Sequence, residues 1–248
     1  MSTDRASPRK LRALGNISWL TARQLNQLSK ALTVSTIEKR STIFDENALS
    51  GSAYILLSGV ARITCRNRRG QRTLVIVLAP GLIPSLPPVT PGIRYDFRCE
   101  AVTLCRIGTI ELETFVEISL GVGSAEFKQM AASYLGRWDL VQLRCANFMS
   151  CSMEERLALT LLELSVTFGV PDPNGVRLAL STRHRDLAEL VGASRPRITE
   201  QLIMFERRHL ISRNTRQLVV NRDRLEAFWP GIIESEKWPQ GLAVEIDG

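Results

Sequence analysis

Arg195, Arg197, Thr199, Glu200 and Gln201 crowd into one short stretch, directly after Ser194. Arginine brings a planar fork of donors, threonine a hydroxyl, glutamate an acceptor, and glutamine both kinds of group. Such a set binds anions and the flat edges of heterocycles. It contains no nucleophile beside a base, no metal-ligand cluster and no glycine-rich phosphate loop, so an enzyme is not expected. Arg183 and Arg185 lie just upstream, and Arg213 and Arg216 just downstream. Residues 181–222 hold nine arginines against four acids. Double-stranded DNA fits this chemistry, with arginines for phosphate oxygens and the polar run for base edges.

Two short helices around one glycine must position these side chains. Leu187, Ala188, Leu190 and Val191 give a first helix its apolar face. Gly192 follows where the chain must turn into the left-handed region, which glycine enters without a Cβ clash. Ser194 is placed to cap a second helix, and Pro196 sits in its first turn, where a missing N–H is tolerated. Ile198, Leu202 and Phe205 recur at helical spacing and pack that helix down. This is a helix-turn-helix pattern. Two apolar runs, Leu210-Ile211 and Leu218-Val219-Val220, flank the basic turn Arg213–Arg216 and read as a wing. A solvated basic hairpin without a partner is the bland alternative; the turn glycine, cap, spacing and wing together favour the groove-reading one.

The run G-A-S-R-P-R-I-T-E-Q-L, followed by H-L-I-S, resembles the winged helix of the CRP/FNR family of bacterial transcription regulators. That resemblance implies an α+β chain: an N-terminal antiparallel β-roll like cyclic-nucleotide-binding domains, a long dimerisation helix and a C-terminal winged helix-turn-helix. It also implies a homodimer on an inverted-repeat operator, with RNA polymerase as a further partner. By the same resemblance Arg195 occupies the position that addresses guanine. Pro196 departs from a usual glutamate and Glu200 from a usual basic residue, so the half-site should differ from the family's. Glu200 suits cytosine N4. Arg183, Arg197, Arg213 and Arg216 are expected on phosphates, with Arg185, Ser194, Thr199 and Gln201 completing the DNA-binding set.

Composition agrees with a regulator. The chain has 248 residues, 44% of them hydrophobic, enough for two modest cores. A net charge of +7 favours an acidic partner. A membrane is not expected: no apolar run reaches the roughly 20 residues needed to span one. The N-terminal M-S-T-D-R-A-S-P-R-K has no apolar signal core, so the expected location is the cytoplasm. The five cysteines are odd in number and scattered, unlike a secreted disulfide framework. No cofactor is implied. An iron–sulfur centre lacks clustered N-terminal cysteines, and both histidines, His184 and His209, lie in the DNA-binding segment, which leaves a haem in the roll only a cysteine ligand.

In order, residues 1–16 read as a polar arm and residues 17–33 as an amphipathic helix. Short β-rich runs cut by turn signals follow, so residues 17–124 make the roll domain. In nucleotide-binding relatives, the segment matching residues 82–96 carries a Gly-Glu pair and then an Arg-Ser or Arg-Thr pair. Here Pro84-Ser85 and Tyr95-Asp96 stand instead, and Pro87, Pro88 and Pro91 deny a helix its N–H groups. Arg94 is a displaced candidate for holding an effector. Gating by cyclic AMP in the usual way is therefore not expected; the alternative is a ligand- or redox-gated regulator whose roll binds a non-nucleotide effector. Cys99 and Cys105 read as core residues on one strand, roughly 20 Å apart and too distant to bond. Residues 125–148 carry an apolar seam that suits packing on the roll or on a second copy; the resemblance selects the copy. Residues 147–150 read as a hinge, 152–168 as a helix, 170–176 as a loop and 221–228 as a short helix, within a DNA-binding domain of 149–228. Residues 229–248 form a tail.

Overall fold

The computed structural model describes residues 6–46, 48, 51–66, 70, 72–83, 95, 97–120, 123, 125–130, 142, 145–180, 182–214 and 217–229. The chain divides into two compact units, residues 1–137 and 138–248.

In the first unit, helix α1 (Pro8–Arg12) starts at Ser7, whose hydroxyl accepts from the Lys10 N–H. Helix α2 (Ala22–Ala31) starts with a capping box between Thr21 and Gln24. Residues 6–16 are thus not the polar arm expected. Ala6, Leu11 and Leu14 are buried with Ile17, Trp19, Leu20, Leu25 and Leu28 in one apolar cluster. Leu11 and Leu14 lie three apart, which stacks them on one side of a helical turn. Asn16 then brackets a distant strand: its side-chain amide donates to the Leu82 carbonyl at 2.9 Å, and the Leu82 N–H donates back at 2.8 Å. The helix expected over 17–33 begins later, at Ala22, after a single 3-10 turn over Gly15–Ile17.

Two four-stranded antiparallel sheets follow. One has the order β1 (Thr33–Ile37), β8 (Cys105–Glu111), β3 (Ser52–Ser58), β6 (Gly81–Leu82). The other has the order β2 (Thr42–Phe44), β7 (Phe97–Ala101), β4 (Ala61–Arg66), β5 (Arg72–Leu78). Inward residues of both sheets form a second core: Leu56, Cys105 and Ile107 from one, Phe44, Ile63, Leu78 and Cys99 from the other. Alternation along each strand produces this, since successive side chains face opposite ways. Cys99 and Cys105 therefore do not share one strand. The chain turns between them, passes from one sheet to the other, and returns both thiols to a single core. Helix α3 (Leu112–Ser119) follows directly on β8.

Residues 125–130 and 145–150 are helical. Ala131, Tyr134, Trp138 and Val141 of the expected seam lie outside the described residues. The expected hinge over 147–150 is helical too; the helix breaks at Cys151-Ser152 instead.

In the second unit, α4 (Met153–Phe168) opens with a capping box between Ser152 and Glu155. The expected loop over 170–176 is a hairpin of β9 (Gly169–Asp172) and β10 (Gly175–Leu178). Asp172 accepts from the Asn174 N–H at 3.1 Å, and Gly175 takes a φ of 138°, which makes the tight turn feasible. These strands join β11 (Ile211–Asn214) and β12 (Gln217–Val220) in a sheet of order β11-β12-β10-β9. Helices α5 (His184–Val191), α6 (Arg195–Arg207) and α7 (Arg222–Phe228) complete the unit. Leu157, Phe168, Leu187, Val191, Ile198, Leu202, Phe205 and Val220 are buried. The tail, residues 230–248, lies outside the described residues.

Candidate nucleic-acid interface

Helix α5 ends at Gly192, with φ 68° and ψ 43°. A Cβ there would come within 2.6 Å of the Phe148 ring, so both backbone conformation and packing demand glycine. Arg156 holds this corner from α4. Its guanidinium donates to the carbonyls of Val191 at 3.0 Å and Cys151 at 2.8 Å, and lies 5.3 Å over the Phe148 ring. The orientation of the turn is thus set by three segments at once.

Helix α6 starts at Ser194, which has extended backbone geometry but makes no side-chain cap bond. This corrects the expected cap. A serine cap bonds the second or third helical N–H, and Pro196 removes the second. The face of α6 toward the core is Ile198, Leu202 and Phe205. Gln201 belongs to that face as well: it is 7% exposed, not free to read a base. Three residues after Ile198 at 100° per residue, it returns to the apolar stripe. Arg195, Arg197 and Glu200 are exposed.

Thr199 is half-buried and already engaged. Its hydroxyl donates to the Arg195 carbonyl at 3.0 Å, and the Nδ1 of His184 lies 2.8 Å from the same oxygen. One hydroxyl has one proton, so His184 Nδ1 carries the hydrogen and donates. The first residue of α5 is thereby tied to the second turn of α6. Burial lowers the His184 pKa, and the Arg213 and Arg195 charges lower it further, against Glu206. The shift favours the neutral imidazole.

The cations fall into two groups. Arg213 on β11 pairs with Glu206 of α6, tying the wing strand to the recognition helix. Arg185 pairs with Glu189 at 3.0 Å on the exposed side of α5. Arg183, Arg195 and Arg197 are exposed. Arg216 lies outside the described residues. Sequence reasoning missed the His184–Thr199 link, the Glu206–Arg213 pair and Arg156; no local pattern marks them.

In the roll, Arg94 and Asp96 also lie outside the described residues. Tyr95 is buried. Its ring stacks on Phe44 at 4.6 Å, Phe44 lies 5.3 Å from Tyr54, and the Tyr95 hydroxyl donates to the Ser52 carbonyl at 3.2 Å. Burial pushes the Tyr95 pKa up to about 12, with Tyr54 adding to the shift. Four described arginines of the roll pair with carboxylates: Arg62 and Arg98 lie 2.9 and 3.0 Å from Glu100, Arg72 lies 2.9 Å from Glu46, and Arg66 also pairs with Glu46. Among the described residues, no three His, Cys, Asp or Glu side chains are grouped to hold a metal ion. No described helix is long and apolar enough to cross a membrane.

Both units match family models. Residues 34–120 match the cyclic nucleotide-binding domain, and residues 155–228 match the Crp-like helix-turn-helix domain. The chain belongs to the CRP/FNR family. It is a transcription regulator of that type, with a helix-turn-helix DNA-binding domain, in a family of regulators rather than enzymes. The chain is 22% identical over 200 residues to the global nitrogen regulator of Synechococcus elongatus, covering 80% of this chain and 90% of that one. It is 24% identical over 200 residues to the CRP-like cAMP-activated global transcriptional regulator of Mycobacterium tuberculosis, covering 78% and 86%. Among solved structures it resembles FixK2 from Bradyrhizobium japonicum, with a TM-score of 0.67 at 20% identity, covering 79% of this chain and 96% of that one. That last likeness is one of fold.

Proposed function

We propose that this CRP/FNR regulator binds an inverted-repeat operator as a homodimer and is not gated by cyclic AMP in the usual way. The observation that carries the DNA reading is the division of α6: Ile198, Leu202 and Phe205 are fully buried while Arg195, Arg197 and Glu200 face out. A helix held by its apolar stripe can enter a major groove with its polar one. Arg195 reads guanine through its fork, and Glu200 accepts from cytosine N4. Arg183, Arg197 and Arg216 take phosphates, as do Arg185 and Arg213 by exchanging the carboxylates of Glu189 and Glu206 for them, and Ser194, with no bond to its own helix, offers its hydroxyl to another. Thr199 acts by positioning rather than by reading, because its hydroxyl is used.

Two subunits related by a two-fold axis present two such helices about one DNA turn apart. Exposed Phe127 and Phe148, 56% and 49% exposed, lie at either end of the 125–148 stretch and support a partner there. RNA polymerase is the further macromolecular partner, and the protein works in the cytoplasm with its DNA. In the roll, a buried tyrosine stands where the resemblance expects the cassette arginine, and the described rings beside it, Phe44 and Tyr54, offer a cyclic phosphate no cation.

Selection of duplexes from a random pool, followed by titration on selected and random duplexes, tests this reading. Arg195→Ala should remove the preference between them. Arg213→Ala should weaken both alike and flatten the salt dependence by about one ion. Equal losses for both variants on both duplexes would refute the division of roles. Cyclic AMP at millimolar concentration should leave the affinity unchanged.

A further inference from the structure

The second half of the recognition helix leaves an apolar patch beside its arginines. Ile203, Met204 and Phe228 are 42%, 38% and 42% exposed. Trp229 joins them, with its ring 4.5 Å from Phe228 and 5.5 Å from buried Phe205. Arg208 lies 4.9 Å over the Phe228 ring, and Arg207 is exposed one turn after Ile203. Ile203 also follows Glu200, proposed to read a base, by about one turn.

We propose that residues 230–248 of the same chain dock on this patch and screen the recognition helix from DNA. The described residues end at Trp229, inside the patch, so this occupant is tethered to its own site. It carries Ile232, Ile233 and Trp238, which match the apolar surface. It also carries four acids, Glu234, Glu236, Glu245 and Asp247, against the single base Lys237. The surface it meets has the opposite sign: residues 182–229 hold ten arginines against six acids. Glu234 and Glu236 are opposite in charge to Arg207 and Arg208.

Reach does not limit the dock. A stretch of 19 residues spans roughly 60 Å when extended, about three times the length of α6. A short tether also gives an effective concentration in the millimolar range, so a weak contact is populated. Duplex DNA offers many more charges and displaces the acids by competition. The docked segment therefore lowers affinity for every duplex without changing which sequence is preferred. This consequence rests on the DNA-binding reading above; the dock itself does not.

Full-length protein labelled with 5-fluorotryptophan tests the dock without DNA, the Trp238 line being assigned with Trp238→Phe. Met204→Ser should move that line. A Trp238 line at the position of a free tryptophan peptide, unmoved by Met204→Ser, overturns the proposal. A line that shifts on dilution does so too, by making a second copy the occupant. Against a random duplex, Trp238→Ala alters no charge and should tighten binding about fivefold or more, the low end of coupling between sites. Glu234→Gln with Glu236→Gln should act in the same direction. If Trp238→Ala leaves affinity unchanged while the wild type binds DNA, the screening is wrong. A wild type that binds no duplex, with a line sensitive to Met204→Ser, refutes the DNA-binding reading and keeps the dock.

Discussion

The Nδ1 of His184 lies 2.8 Å from the hydroxyl of Thr199 and donates to it, joining the first turn of α5 to the recognition helix. The hydroxyl in turn donates to the Arg195 carbonyl at 3.0 Å, so the chain of two bonds ends on the residue proposed to read guanine. Thr199→Val keeps the shape and breaks both bonds. It should weaken binding to a selected duplex more than to a random one, because orientation of Arg195 matters only for base contacts. A titration on the two duplexes checks this; equal weakening would show that Thr199 only stabilises the fold.

The same histidine gives the domain a pH dependence. Its folded pKa lies below the usual 6.5, owing to burial first and then to Arg213 and Arg195. The neutral form is the one favoured on folding. The stabilisation is therefore complete above the unfolded value of about 6.5 and is lost as pH falls through the lower folded value. Thermal melts from pH 7.5 to 5 should fall less steeply for His184→Gln than for the wild type. Parallel curves would remove His184 from the account.

Gly192→Ala should destabilise the second unit by about 2 kcal/mol. A left-handed φ costs an L-residue roughly 1–2 kcal/mol, and the new methyl would press on the Phe148 ring. Gly192→Asn should recover part of the backbone cost, since asparagine tolerates this region. Denaturant melts of the two variants separate the backbone and packing effects.

Asn16 should matter although its neighbours read as a polar arm. Asn16→Ala removes two hydrogen bonds to Leu82 and leaves part-buried backbone groups unmatched. The expected loss is roughly 1–3 kcal/mol, read as a lower melting point of the roll with no change in the salt slope of DNA binding.

Cysteine reactivity should follow exposure. Burial pushes the Cys99 thiol up to about 12 and raises that of Cys105, so neither forms thiolate near neutral pH. Cys145 is exposed. Iodoacetamide at pH 8 should label Cys145 in the native protein and reach Cys99 and Cys105 only after denaturation. Native labelling of Cys99 would reopen a redox role for the roll.

Residue order alone determined the two helices around Gly192, the wing strands, the short strands of the roll and the basic surface. Each rests on local physics: a left-handed turn, a period of two or 3.6, a run of arginines. Tertiary structure decided what those elements touch. Asn16 meets Leu82 across 66 positions, and His184 meets Thr199 across 15. Cys99 and Cys105, read as one strand, belong to two sheets around one core. Residues 6–16 look polar in sequence because only one side of a short helix is apolar, and that side has meaning only once Leu28 and Ile110 are beside it. Periodicity states which residues share a face; only packing states what that face meets, because burial is a property of two surfaces and the sequence lists one at a time.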